Sequence, residues 1–172
     1  SLNNLGTLAE RDGRWSEAET SFEEALALRE QLGDGPGQAS TLVNLASLQR
    51  WRGELAAAAE LAQRGRDLAE RHGVADTAVR ALLVGAEIAL RQGDLASARK
   101  LADAMQQRAG AREGGLDAES RQLLLAELAA AEGDRAGAAD LLDPLLRDGS
   151  PAARASARLA RARLATHDDP QR

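Results

Sequence analysis

The 172-residue chain has no cysteine, no tyrosine, one phenylalanine and two tryptophans. Without cysteine there is no disulfide framework, no thiolate nucleophile and no Cys-based zinc site. A β-sandwich or barrel draws on Val, Ile, Tyr and Phe, and aromatics at 2% of the chain leave little to build one from. No apolar run approaches the roughly 18 residues that cross a bilayer, and no segment has the charged, apolar and small-residue order of a signal peptide. Basic charge is also short. Lys and Arg number 22 against 27 Asp and Glu, a net charge of −5, so no global positive field draws nucleic acid. The chain opens on Ser1 already inside a helical pattern, which reads as a piece of a longer protein. A cytoplasmic setting is the default expectation.

What the chain has instead is alanine and leucine, both strong helix formers, arranged in a repeat. Gly13, Gly53, Gly93 and Gly133 follow one another at 40-residue intervals. Ala18, Ala58, Ala98 and Ala138 keep the same interval, as do the small residues Gly6, Ala46, Ala86 and Ala126 and the aliphatic Leu8, Leu48, Ile88 and Leu128. Each glycine supplies a tight turn that ends one helix. In three copies an acid follows it (Glu54, Asp94, Asp134), suited to the positive start of the next helix. Small residues let the two helices approach, and the aliphatic ones fill the space between them. The pattern predicts helices over 2–12, 15–32, 38–52, 55–72, 76–92, 95–109, 117–132, 135–147 and 151–166. The stretches GDGPGQ (33–38) and GAREGG (110–115) are expected as loops between units, and Ser150-Pro151 as the capped start of the last helix.

These positions resemble a tetratricopeptide repeat (TPR). In the first copy Leu2, Leu5, Gly6, Ala9, Gly13, Trp15, Ala18, Phe22 and Ala25 stand where that family places its packing residues. Later copies depart from it: Ala62 and Ala102 replace an aromatic, Gly85 replaces Leu, and Gln122 and Arg135 fall at apolar sites. The 40-residue unit is similar to those of kinesin light chains and of TPR arrays in bacterial multidomain regulators. The resemblance implies an all-α fold, a right-handed α-solenoid of about four antiparallel helix pairs plus a C-terminal helix. The expected units are 1–37, 38–75, 76–115 and 116–149, with a capping helix over 150–167. Trp15 and Phe22 are expected in the core.

On the first helix of each unit, the face opposite the core is where a partner would bind. It forms three ladders across the units: Asn4–Asn44–Val84–Leu124, Thr7–Ser47–Glu87–Glu127 and Arg11–Trp51–Arg91–Ala131. Amides carry donors and an acceptor and so suit peptide backbone. The TPR resemblance implies that role for Asn4 and Asn44; the alternative is that they only solvate the face. Trp51 is either a groove residue between Arg11 and Arg91 or packed on its own turn near Leu55. Arg11, Arg50 and Arg91 make one edge basic, against which Glu87 is expected to pair with Arg91 four residues on.

Chemistry of other kinds finds little support. His72 and His167 fall near helix ends without metal-ligand spacing, GDGPG lacks the strand and Gly-Lys-Ser/Thr of a phosphate loop, and Glu23-Glu24 has no pocket. The arginines of RASARLARARL (154–164) are expected outward, with Ala157, Leu159, Ala160 and Leu164 docked on the previous unit. The reading is a non-enzymatic scaffold with no cofactor or metal and no nucleic-acid or membrane partner. It binds a protein or peptide through Asn4, Thr7, Arg11, Asn44, Ser47, Arg50, Trp51, Glu87 and Arg91, inside a bacterial regulatory or signalling protein. The alternative is a homodimerisation module.

Overall fold

The computed structural model describes residues 14–109 and 116–166 together with Leu2, Asn4 and Gly6, which are helical. The remaining described residues form eight α-helices and no strand: α1 (Trp15–Gln31), α2 (Gly35–Arg52), α3 (Leu55–Arg71), α4 (Ala75–Arg91), α5 (Leu95–Ala109), α6 (Leu116–Ala131), α7 (Arg135–Asp148) and α8 (Pro151–Thr166). The chain is an all-α helical-repeat solenoid.

The turns are set by the glycines. Gly53 has φ 84°, a left-handed conformation that carries no Cβ penalty in glycine. Its N–H donates to Arg50 O at 3.2 Å and that of Glu54 to Gln49 O at 2.9 Å, closing the end of α2. The acids behind these glycines then start the next helix. Asp94 Oδ1 accepts from Ser97 N–H at 3.0 Å and Asp134 Oδ1 from Gly137 N–H at 2.9 Å, whereas Glu54 makes no side-chain cap. At the last junction Glu119 accepts from both the N–H and the hydroxyl of Ser150, each at 2.7 Å, tying α6 to the start of α8.

Two expectations are corrected here. Most of GDGPGQ is not a loop, because α2 begins at Gly35. Asp34 Oδ1 accepts from Gly37 N–H at 2.9 Å, and Pro36 lies in the first turn, where a missing N–H costs nothing. Gly35 packs under the exposed His72, whose imidazole would have to swing aside for any Cβ there. The second correction is Trp15, which is 40% exposed while Phe22 is fully buried. Trp15 is the first residue of α1, at the tip of its helical pair; its counterparts Leu55 and Leu95 are only half-buried and Arg135 is exposed. The GAREGG segment, Gly13 and His167 lie outside the described residues.

Inside the pairs, the alanine register closes the contact: Ala18, Ala58, Ala98 and Ala138 are buried, as are Ala46, Ala86, Ala126, Leu48, Ile88 and Leu128. Gly6 is where a side chain is refused, because a Cβ there would stand 2.6 Å from the Phe22 ring. The first helices α2, α4, α6 and α8 also touch in sequence, each against the next. That alignment sets the face on which the three ladders were expected.

Candidate partner-binding face

The first ladder is mostly a packing seam. Asn4 is exposed, but Asn44 is buried, and its Oδ1 accepts from Arg80 Nη2 at 2.8 Å. Val84 and Leu124 are buried in the apolar clusters between helices. The expectation that Asn44 projects its amide into an open groove is therefore corrected: α4 approaches α2 closely enough for Arg80 to reach across and take the amide oxygen. Arg80 escaped the sequence reading because its counterparts in neighbouring units are Ser40 and Ser120, so it forms no ladder.

Along the second ladder, Ser47 is half-buried and its hydroxyl donates back to Val43 O at 3.1 Å. Glu87 does not bond along its own helix as expected. Its Oε2 lies 3.3 Å from Arg50 Nε, an ion pair between α4 and α2. Burial holds the Glu87 carboxyl above the ordinary carboxylate value; Arg50 and Arg91 act against that shift, and Glu127 adds to it. Glu127, on α6, is raised by burial too, opposed by Arg163 of α8 and by Arg91 and Arg50. Arg50, Glu87, Arg91, Glu127 and Arg163 thus form a run of alternating charge across four first helices. Thr7 lies outside the described residues.

The third ladder holds the exposed aromatic. Trp51 is 56% exposed, with Arg50 Cζ 4.8 Å and Arg91 Cζ 5.5 Å from its ring centre. Cation–π contacts of this kind contribute on the order of 0.5–1 kcal/mol at exposed sites. Arg91 Nη1 also lies 3.4 Å from Arg50 O. Of the expected flanking pair, Arg91 is in place, Arg50 supplies the second guanidinium, and Arg11 lies outside the described residues. Arg50 is not a free basic edge: it is buried, paired and stacked. Ala131 is exposed at the fourth rung.

Among the described residues no group of three or more His, Cys, Asp or Glu is placed to hold a metal. No helix among them is long and apolar enough to cross a membrane.

The architecture defines a class, the helical-hairpin repeat scaffold. Residues 1–71 match the family described as tetratricopeptide repeat, which supports a TPR domain. Solved structures of a Podosopora anserina kinesin light chain with nearly identical TPR-like repeats share the fold. One superposes with a TM-score of 0.71 at 17% identity, covering 97% of this chain and 84% of that one. A second has a TM-score of 0.70 at 17% identity, covering 97% and 85%. No curated protein matches the sequence. Repeats of this family generally mediate protein–protein interaction, and the fold is typically a non-catalytic scaffold.

Proposed function

We propose that this domain is a non-enzymatic scaffold that captures a peptide or neighbouring domain on the face formed by its first helices. Trp51 is the anchor of that reading. It is a large aromatic more than half exposed at the surface, held by two guanidiniums, and Trp and Arg are the residues that most often carry binding energy. Around it lie Ser47, Arg50, Glu87 and Arg91, and the exposed Asn4 belongs to the same reading. By family resemblance the setting is a bacterial regulatory or signalling protein in the cytoplasm.

The test begins with peptides selected from a displayed random library on the wild-type domain. Trp51→Ala should then weaken the selected peptide by about 2 kcal/mol or more, the size of a hot-spot loss, in calorimetric titration, with unchanged helicity. Asn4→Ala should weaken it less. Equal affinity for Trp51→Ala and wild type, or selection that yields peptides bound elsewhere, overturns the reading.

Homodimerisation is the second reading, and one observation favours it: Leu28 and Leu32 are exposed one turn apart at the end of α1. Sedimentation over a wide concentration range separates the two. A tight dimer that excludes the selected peptide supports self-association.

A further inference from the structure

The last helix carries two apolar stripes, and only one of them is covered. Ala153, Ala157, Ala160 and Leu164 of α8 pack on α6 and α7 in one cluster with Ala126, Leu142 and Leu145. Leu159 was expected in that contact, and this is corrected: it is 55% exposed. With Ala155 and Ala162, also exposed, it forms a second stripe at i, i+4 and i+7 on the opposite side of α8.

The helix starts fix the register of this stripe. Ser150 Oγ accepts from Ala153 N–H at 3.2 Å, as Asp34 Oδ1 accepts from Gly37 N–H at the start of α2. The corresponding cap of α4 is Val74. Counted from these caps, Ala155, Leu159 and Ala162 match Ala39, Val43 and Ala46 of α2 and Val79, Leu83 and Ala86 of α4. All six counterparts are buried. Val43 and Ala46 share a cluster with Ala58 and Ala62 of α3, and Val79, Leu83 and Ala86 share one with Ala98, Ala102 and Met105 of α5. In those units the stripe is the seat of a second helix. Among the described residues α8 touches only α6 and α7, so its own seat stays uncovered.

Charge narrows the occupant. α8 carries Arg154, Arg158, Arg161 and Arg163 and no acid. The helical period puts Arg158 on one border of the stripe and Arg163 on the other. Arg161 pairs with Asp143 and Arg163 faces Glu127, whereas Arg158 has no ion-pair partner among the described residues. A helix with acids along the borders of its apolar stripe complements this face. A second copy of the domain does not. Two α8 helices would set arginine against arginine, and the second helices of a folded copy already have their small stripes buried at Ala18, Ala58, Ala98 and Ala138.

We propose that the Ala155–Leu159–Ala162 stripe of α8 is a docking site for an acidic amphipathic helix of a partner protein, laid against α8 as α5 is laid against α4. Small residues and one Met-sized side chain of that helix meet Leu159, as Ala98, Ala102 and Met105 cluster with Leu83. Its acids reach Arg158 and Arg163. Recognition of a helix by an apolar stripe works through anchors at this spacing. The proposal does not rest on the role of Trp51.

The probe is a capped peptide of the α5 sequence, Leu95–Ala109, held helical by a staple between positions 103 and 107 on its outer face. It carries Arg99→Glu, Gln106→Glu and Arg108→Glu along the borders of its stripe. Titrated into the wild-type domain, it should give saturable ¹H–¹⁵N shifts centred on Ala155, Leu159 and Ala162. The same stapled peptide with its native Arg99, Gln106 and Arg108 should bind about tenfold more weakly, the effect of two surface ion pairs. Arg158→Glu in the domain should weaken the acidic peptide by about fivefold. Leu159→Glu should abolish the shifts with unchanged helicity and melting temperature, since Leu159 is exposed. Trp51→Ala should bind the peptide as wild type does. Equal binding of the two peptides, shifts centred outside α8, or binding retained in Leu159→Glu would overturn the site. So would Leu159-dependent binding to phosphatidylglycerol–phosphatidylcholine vesicles, which assigns the stripe to a membrane, or Leu159-dependent self-association in sedimentation, which assigns it to a second copy.

Discussion

Glu87 shows how one buried carboxyl ties stability to pH. Its folded pKa lies above the ordinary carboxylate value of 4.5 because burial outweighs the attraction of Arg50 and Arg91. For an acid shifted upward, the favourable contribution is complete below the unfolded pKa and is lost as pH rises through the folded one. Wild type should therefore lose stability from about pH 4.5 upward through this group. Glu87→Gln, which mimics the protonated form, should melt at the same or a higher temperature than wild type at pH 7. The difference should shrink to nothing at about pH 4. Circular-dichroism melts across that range are the check, and a variant that melts well below wild type at pH 7 contradicts it. The sequence placed Glu87 on the right face but paired it with Arg91. Local spacing on one helix cannot reveal that α2 brings Arg50 closer. Asn44 and Arg80 make the same point: the twist between units decides which side chains meet, and no periodicity within a unit records it.

At the scale of helices and turns the sequence was far more informative, because these features are local. Glycine positions, alanine registers and the start of α8 were all readable from residue type and spacing. The exceptions have local causes as well. GDGPGQ looks like a loop by composition, yet the Asp34 cap and Pro36 commit it to α2. Two glycines of opposite character give a sharp comparison. Gly53 sits at φ 84° in a turn, and Gly53→Ala should cost about 1–2 kcal/mol for the left-handed backbone. Gly85 lies inside α4 with room for a Cβ, and Gly85→Ala should stabilise by roughly 0.5–1 kcal/mol. Urea unfolding of both variants measures the two effects, and a shared sign would mean that packing, not backbone conformation, governs these positions.

Among the described residues each pair of helices touches only its neighbours, so stability is expected to be a sum of unit and interface contributions. Leu128 belongs to the cluster that joins α4, α5 and α6 and is fully buried. Leu128→Ala should cost about 2–5 kcal/mol, with hydrogen exchange accelerating first in α4 to α8 and amides of α1 to α3 keeping nearly wild-type protection. Uniform acceleration along the chain would show that the array unfolds as a single unit. The placement of the aromatics has an optical consequence. With no tyrosine and with both tryptophans, Trp15 and Trp51, partly exposed, near-ultraviolet emission comes from the surface, and the core contributes only the dim Phe22. Fluorescence from this domain therefore reports what touches its surface more than whether its interior is packed.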